Sequence, residues 1–272
     1  MHQGLTTRLP NILFLDLETL PKWKQVRHVW PSLSNFPGRT LKADITTIIC
    51  FGYRKLNDKK ATCVNAWDYK DTWNKYKNDD YHLVKLAHDI LQDVDLIVTH
   101  NGKKFDIKFL NTRIAFHKLN GRKDKDLNYL PNIEHVDTIQ LARKYFLLYS
   151  NSLGAVSKFL NVGDKLDSGG WPLWVGVDDD CEKAKKKMTK YCQRDVDQLF
   201  KVYKKLLSLA KNIPNYNHFF QDEEQRCPNC GSTNVSKRGM RVVKNSVYHR
   251  LRCNHCGTWC KSTKKTHNLK PV

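Results

Sequence analysis

The sequence lacks several features that define whole classes of protein. It has no uninterrupted apolar run long enough to span a bilayer, and no basic amphipathic helix with an exposed apolar face, so we expect no membrane partner. The N-terminal residues MHQGLTTRLP lack the apolar core of a secretory signal, so we expect a reducing, cytoplasmic location in which disulfides are disfavoured. No internal repeat of solenoid type is present. These absences favour a folded intracellular protein.

Acidic residues are scarce relative to basic ones. Lys and Arg total 47 against 27 Asp and Glu, which gives a formal net charge of +20. A surplus of this size favours a polyanionic partner, and nucleic acid fits it best. The length of 272 residues suits one α/β domain and a small accessory module. We therefore predict a main domain over residues 1–211, a linker over 212–225 and a C-terminal module over 226–272.

The cysteines are unevenly distributed along the chain. Four of the nine are scattered, at Cys50, Cys63, Cys181 and Cys192, whereas the C-terminal module holds the other five. Within it, two CxxC pairs with roughly twenty residues between them match a structural four-thiolate zinc site, and glycines follow both pairs and permit tight turns. The predicted ligands of one Zn²⁺ are Cys227, Cys230, Cys253 and Cys256, with His255 and Cys260 as possible substitutes.

The segment between the two cysteine pairs alternates basic residues with valine and tyrosine. This pattern predicts a basic β-hairpin that contacts phosphates, with Arg238, Arg241 and Arg250 as candidate nucleic-acid ligands. The module is similar to zinc ribbons attached to transposases and other nucleic-acid enzymes. A solvated hairpin or a protein-docking module is the alternative. So small a module has little core, so zinc should supply most of its folding energy.

Hydrophobic periodicity predicts the elements of the main domain. Strands are expected at 11–17, 45–54 and 62–67 as an antiparallel meander around an irregular segment at 31–39, with a further strand at 96–99 added in parallel. Helices are expected at 81–93, 104–116, 152–160 and 179–211, and residues 135–143 lead into another helix. A loop is expected at 167–176. The order of elements predicts an α/β mixed sheet flanked by helices.

Three acidic segments carry the chemistry. Asp16 and Glu18 lie two apart on a strand and therefore share a face, Asp106 lies in the first turn of a helix, and Tyr191 and Asp195 lie four apart on one helix. Each has a plain structural reading: a solvated acid pair, a helix N-terminal acid, and a core tyrosine beside a surface acid. Together they favour a cation site. Oxygen ligands alone suit Mg²⁺ or Mn²⁺ rather than zinc.

The motifs FLDLETLP, THNGKKFD and YCQRDVD resemble those of the DnaQ-like, or DEDD, exonucleases of the ribonuclease H-like fold. The likeness covers about residues 11–207 and is to the tyrosine subclass, which includes the proofreading domains of family B DNA polymerases. It implies that four carboxylates hold two Mg²⁺ or Mn²⁺ ions, that Tyr191 positions the attacking water, and that Asn101 lies near the substrate strand. The implied ion ligands are Asp16, Glu18, Asp106 and Asp195. Asp137, in its DT context, is expected to cap a helix instead.

The expected activity is 3′→5′ exonucleolytic hydrolysis of DNA by a two-metal-ion mechanism. Exoribonuclease or structure-directed endonuclease activity is the first alternative, and a catalytically inactive nucleic-acid-binding protein is the second. DNA is favoured over RNA, and replication or repair proteins are candidate partners. Trp171 and Trp174 either stack on unpaired bases or pack the loop onto the core. The lysine run at 183–190 either binds substrate or is a solvated helix face.

Overall fold

A computed structural model of the protein describes residues 10–21, 46–75, 79–209, 214–215 and 224–268. The irregular segment expected at 31–39 and most of the linker expected at 212–225 lie outside these residues. Within them, no helix is long and apolar enough to cross a membrane.

The main domain is built on a five-stranded mixed sheet with the strand order β3-β2-β1-β4-β5. β1 pairs antiparallel with β2, β2 pairs antiparallel with β3, and β4 and β5 are added in parallel. The predicted meander and the parallel addition are therefore confirmed. The strands are β1 (Ile12–Pro21), β2 (Thr46–Lys55), β3 (Thr62–Asn65), β4 (Leu96–Thr99) and β5 (Glu134–Asp137).

Helices cover both faces of this sheet. They are α1 (Lys70–Lys75), α2 (Tyr81–Gln92), α3 (Asp106–Leu119), α4 (Thr138–Tyr145), α5 (Leu153–Phe159), α6 (Pro172–Asp178) and α7 (Glu182–Leu206), with a 3-10 turn at Ala66–Asp68. The prediction of an α/β mixed sheet flanked by helices is confirmed.

β1 lies at the centre of the sheet, and its apolar residues are buried on both faces. Its odd-numbered leucines, including Leu13 and Leu15, pack into one core cluster, whereas Ile12 and Phe14 pack into the other. Phe14 makes edge-on contacts with Phe200 and Tyr203 of α7. Side chains alternate along a strand, so the even-numbered residues after Phe14 also face α7. This geometry brings the acidic end of β1 under the last helix of the domain.

Three expectations about the elements were wrong. The loop expected at 167–176 contains most of α6, whose first residue is Pro172, a residue favoured at the first helical position. Residues 135–137 belong to β5, which pairs with β4, and α4 begins only after Asp137. The last helix is shorter than expected, since it begins at Glu182 and ends at Leu206.

The C-terminal module is a separate three-stranded antiparallel sheet of β6 (Val235–Val243), β7 (Ser246–Cys253) and β8 (Trp259–Asn268). The predicted hairpin is β6 and β7, while β8 was not expected. The module packs on the end of α7, where the Asn229 amide and the Thr258 hydroxyl both donate hydrogen bonds to the Leu207 carbonyl, at 2.8 and 2.6 Å. Terminal helix carbonyls need such partners because the helix itself supplies none.

Candidate active site

Three of the predicted carboxylates meet between β1 and α7. Asp16 and Glu18 project from one face of β1, and Asp195 comes down from the helix that crosses it. One carboxylate oxygen from each lies within 4.8 Å of the others. Glu18 and Asp195 are buried and Asp16 is partly buried. Oxygens of three acids at this spacing are within reach of a single cation, whose ligand bonds are about 2.0 to 2.6 Å long.

Asp106 reaches the same region from the first turn of α3. Its Oδ1 accepts a hydrogen bond at 2.9 Å from the backbone amide of Leu17, the residue between the two acids of β1. The charge of Asp106 also helps to raise the pKa of Asp16. Asp106 therefore borders the cluster of three, with one oxygen bonded to the strand.

Burial disfavours ionisation throughout this group, and the charges of neighbouring carboxylates add to the effect at Asp16 and Glu18. Burial is the largest cause in each case: it raises the pKa of Glu18 to about 8 and that of Asp106 to about 7. The pKa of Asp16 is raised well above its usual range by burial and then by the charges of Asp106, Glu18 and Asp195. Ionisation of carboxylates held this close costs less free energy when a cation lies between them.

Asp195 supplies an independent test of whether a cation fits. Its Oδ2 bonds the ammonium of Lys165 at 2.8 Å, but its Oδ1 is buried without a hydrogen-bond partner among the residues that the structure describes. A buried carboxylate oxygen without a partner is costly. A cation at the cluster would satisfy it, and the all-oxygen donors suit Mg²⁺ or Mn²⁺. The residues present therefore fit divalent metal.

Tyr191 lies beside the carboxylates on α7. Burial and the charges of Glu18, Asp195 and Asp16 raise its pKa above the ordinary value of 10, so the hydroxyl stays protonated at neutral pH. A protonated phenol can donate a hydrogen bond and orient water, but it cannot act as a base. Its ring and that of Trp174 form a T-shaped contact, with 6.0 Å between ring centroids.

Lys165, in the segment between α5 and α6, is the site residue that sequence reasoning missed. Besides bonding Asp195, its ammonium lies 4.8 Å from the centroid of the Tyr191 ring. Partial burial lowers the pKa of Lys165, but the charge and hydrogen bond of Asp195, with the charges of Asp16 and Glu18, together outweigh this and raise it. Nothing in the sequence marks one lysine in a basic chain, since the pairing depends on how the segment folds back onto α7.

The predicted substrate contacts fall in different places. Trp171 and Trp174 are half-buried, with parallel rings 6.5 Å apart, and Trp174 also packs against the core, so both readings of the pair retain support. Asn101 lies in the turn between β4 and α3 with a positive φ of 73°, and its backbone N–H donates a hydrogen bond to the Asp137 carboxylate. Asp137 also accepts from the amide of Ile139 and caps α4, as expected.

The four predicted zinc cysteines converge in the C-terminal module. Cys227 and Cys256 have sulfurs 3.5 Å apart, Cys230 and Cys253 have sulfurs 3.7 Å apart, and all four lie within 4.8 Å of one another. This grouping fits a tetrahedral Zn²⁺ site. It does not include His255 or Cys260.

The outer surface of this module is basic. Arg238, Arg241 and Arg250 are all exposed. The guanidinium of Arg250 lies 5.2 Å from the ring centroid of Trp259, which is half-exposed, and donates to the Arg238 carbonyl at 2.8 Å. The surface therefore presents cations beside an accessible aromatic ring, the two groups that bind phosphates and bases.

Comparison with known proteins gives a family match and a structural one. A family model described as the RNase_H superfamily matches residues 39–207. No curated protein matches the chain. Among solved structures, the family B DNA polymerase from the hyperthermophilic archaeon Pyrobaculum calidifontis matches with a TM-score of 0.52 and 16% identity, over 76% of this chain and 26% of the polymerase chain. The chain thus spans about a quarter of that polymerase, and the likeness is one of fold.

Proposed function

We propose that this chain, which belongs to the RNase_H superfamily, is a 3′→5′ exonuclease that hydrolyses DNA with two divalent metal ions. The observation that carries the proposal is the carboxylate group between β1 and α7, in which Asp195 Oδ1 is buried without a hydrogen-bond partner among the described residues. An inactive nucleic-acid-binding protein would have no use for so costly an arrangement.

The residues divide the work as follows. Asp16, Glu18, Asp106 and Asp195 would hold Mg²⁺ or Mn²⁺, which when bound stabilises the attacking and leaving oxygens of a phosphodiester displacement. Tyr191 donates a hydrogen bond that orients the attacking water. The ammonium of Lys165 partly neutralises Asp195 and lies 4.8 Å from the centroid of the Tyr191 ring, so it can also attract the phosphate.

A basic cavity on the neighbouring face of α7 supports a polyanionic substrate. It has a volume of about 660 Å³ and is lined by Leu166, Glu182 and four lysines, namely Lys183, Lys186, Lys187 and Lys190. The last of these precedes Tyr191 in the chain. We propose that a nucleic-acid strand passes along these lysines and that Trp171 and Trp174 contact its bases.

The test is a substrate panel with the full chain. With Mg²⁺ or Mn²⁺, 5′-labelled single-stranded DNA should shorten stepwise, and 3′-labelled DNA should release its label as mononucleotide. Asp195→Asn should lower the rate at least about 100-fold, a loss typical of removing one group that stabilises transition-state charge. Asp126→Asn, at an exposed aspartate outside the site, is the matched control and should retain full activity.

Other results would redirect or overturn the assignment. Degradation of RNA alone would identify an exoribonuclease, and internal fragments from both labels would identify an endonuclease. Inactivity on every substrate, or an Asp195→Asn variant as active as the parent, would leave nucleic-acid binding without catalysis.

We also propose that the zinc module helps to hold the substrate. Arg241→Ala should weaken DNA binding and reduce the dependence of log Kd on log salt by about one, because one phosphate contact is lost. Lys201→Ala, at an exposed cation of α7, is the comparison variant. Unchanged affinity for Arg241→Ala across several salt concentrations would favour a protein-docking role for the module.

A further inference from the structure

Three cysteines outside the zinc module meet beneath α7. Cys50 lies on β2, Cys63 on β3 and Cys192 on α7, far apart in the chain. Their sulfur atoms nevertheless lie within 4.8 Å of one another. We call these three residues the inner thiol cluster.

The sheet register explains why they converge. Cys63 pairs with Gly52 across β2 and β3, and Cys50 lies two residues from Gly52, so both sulfurs project from the same face of the sheet. Gly52 lies between them and has no side chain. A Cβ at that position would be 3.0 Å from Cys192 Sγ and 2.7 Å from Val196 Cγ2. The glycine therefore leaves the space into which the helix inserts its sulfur.

The surroundings of the cluster would retain an ion and also admit one. Cys50 and Cys192 are fully buried, whereas Cys63 is half-buried and gives access from the surface. The Cys63 thiol donates to Asn65 Oδ1 at 3.3 Å, and the Thr189 hydroxyl donates to the same oxygen at 3.0 Å. These bonds fix the rim of the cluster between β3 and α7.

We propose that the inner thiol cluster is a second zinc site, in which Cys50, Cys63 and Cys192 bind one Zn²⁺ as thiolates and water fills the fourth position. Binding releases the three thiol protons to solvent, and no oxidant or reductant is required. Soft sulfur ligands favour Zn²⁺, and hard carboxylate oxygens favour Mg²⁺ or Mn²⁺, so neighbouring sites would sort different ions. The inference does not depend on nuclease activity.

The position of this site gives it a structural consequence. Glu18 pairs with Cys50 across β1 and β2, and Cys192 follows Tyr191 on α7. An ion at the cluster would link β2 and β3 to α7 directly beside the carboxylate group. Occupancy should therefore fix the spacing between the strand that carries Glu18 and the helix that carries Asp195.

The experiment uses Cd²⁺, which replaces Zn²⁺ at thiolate sites and gives a charge-transfer absorption only when bound by sulfur. Titration of the full, reduced, metal-free chain should show two thiolate-bound Cd²⁺ per chain, one with four sulfur ligands and one with three, resolved by ¹¹³Cd NMR. Cys63→Ser should halve the count and remove only the three-sulfur signal. Cys181→Ser, at an exposed lone cysteine, is the matched control and should keep both.

A second measurement needs no variant. In the metal-free chain the half-buried Cys63 should react with iodoacetamide, and Zn²⁺ alone should protect it, as peptide mass spectrometry would show. A single thiolate-bound Cd²⁺ in the parent chain, two in Cys63→Ser, or Cys63 alkylation unaffected by Zn²⁺ would each overturn the proposal. Each of these results would identify the cluster as ordinary core packing.

Discussion

Replacing Glu18 with glutamine should make the metal-free protein more stable while removing a ligand of the proposed metal site. Burial raises the pKa of Glu18 from its ordinary value of 4.5 to about 8, so the folded chain holds a proton that the unfolded chain has lost. Stability contributed by this group is therefore full below about pH 4.5 and falls as pH rises towards 8. Glutamine has nearly the same shape and never ionises, so Glu18→Gln avoids that loss.

The size of this gain in stability follows from the ordinary and the raised pKa of Glu18. They differ by roughly 3.5 pH units, and at about 1.4 kcal/mol per unit the ceiling is about 5 kcal/mol at pH 8 or above. Neighbouring carboxyls share the repulsion and will rearrange their protons, so the realised gain is smaller. We expect at least about 1 kcal/mol at pH 8 in the absence of metal, and almost none at pH 4.5.

Urea unfolding with EDTA, at pH 4.5 and pH 8, measures this difference. Saturating Mg²⁺ should reverse the order of stability at pH 8, because the parent chain binds the ion and the variant has lost a ligand. Glu134→Gln, at an exposed glutamate of β5, should change the free energy of unfolding by no more than about 0.5 kcal/mol at either pH. A Glu18→Gln chain no more stable than the parent at pH 8 would refute the reasoning.

Three further predictions test other contacts. Asp80→Ala should lower the free energy of unfolding in urea by about 3 to 5 kcal/mol, because it removes the carboxylate that pairs with the buried Arg113 guanidinium. Asp89→Ala, which removes an exposed ion pair with Lys85, should lower it by less than about 1 kcal/mol. Equal losses of stability in the two variants would contradict this reasoning. Gly52→Ala should lower the free energy of unfolding by about 1 to 3 kcal/mol, because the added methyl group overpacks against α7. An unchanged stability would contradict the close approach of β2 to α7 at this glycine. Cys227→Ser should lower the bound zinc measured by elemental analysis, and undiminished zinc would contradict its role as a ligand.

The contribution of Asp80 to stability depends on pH with the opposite sign to that of Glu18. Burial alone would raise its pKa, but the hydrogen bond from His117 and the charge of Arg113 outweigh this and lower it. The stability that Asp80 contributes is therefore present above its ordinary pKa and is lost as pH falls below it.

The sequence predicted elements where one pattern dominated. The apolar runs of β1 and β2 and the helical spacing in α2 and α7 were sufficient, because burial repeats along each of them. β5 was missed because it is four residues long and continuous with α4. β8 was missed because its sequence, WCKSTKKTHN, is mostly polar, and it forms by pairing with β7 rather than by burying a face.

The candidate site was predictable to the extent that residue type and spacing carried it. Two acids two apart on a strand and an acid four residues after a tyrosine on a helix are patterns that a sequence displays. The partner of Asp195 is not, since Lys165 reaches it from an irregular segment. Nor did the scattered cysteines suggest a cluster, because their meeting depends on the register opposite Gly52.

The hydrogen bonds at the Leu207 carbonyl bear on how the protein can be divided. A chain stopped before the cysteine-rich tail would leave this carbonyl without Asn229 and Thr258, at the end of the same helix that holds Asp195. The predicted boundary follows composition, but these bonds cross it. An expression product meant to preserve α7 should therefore include the tail, and removal of metal from the proposed four-cysteine site should loosen the last turn of α7.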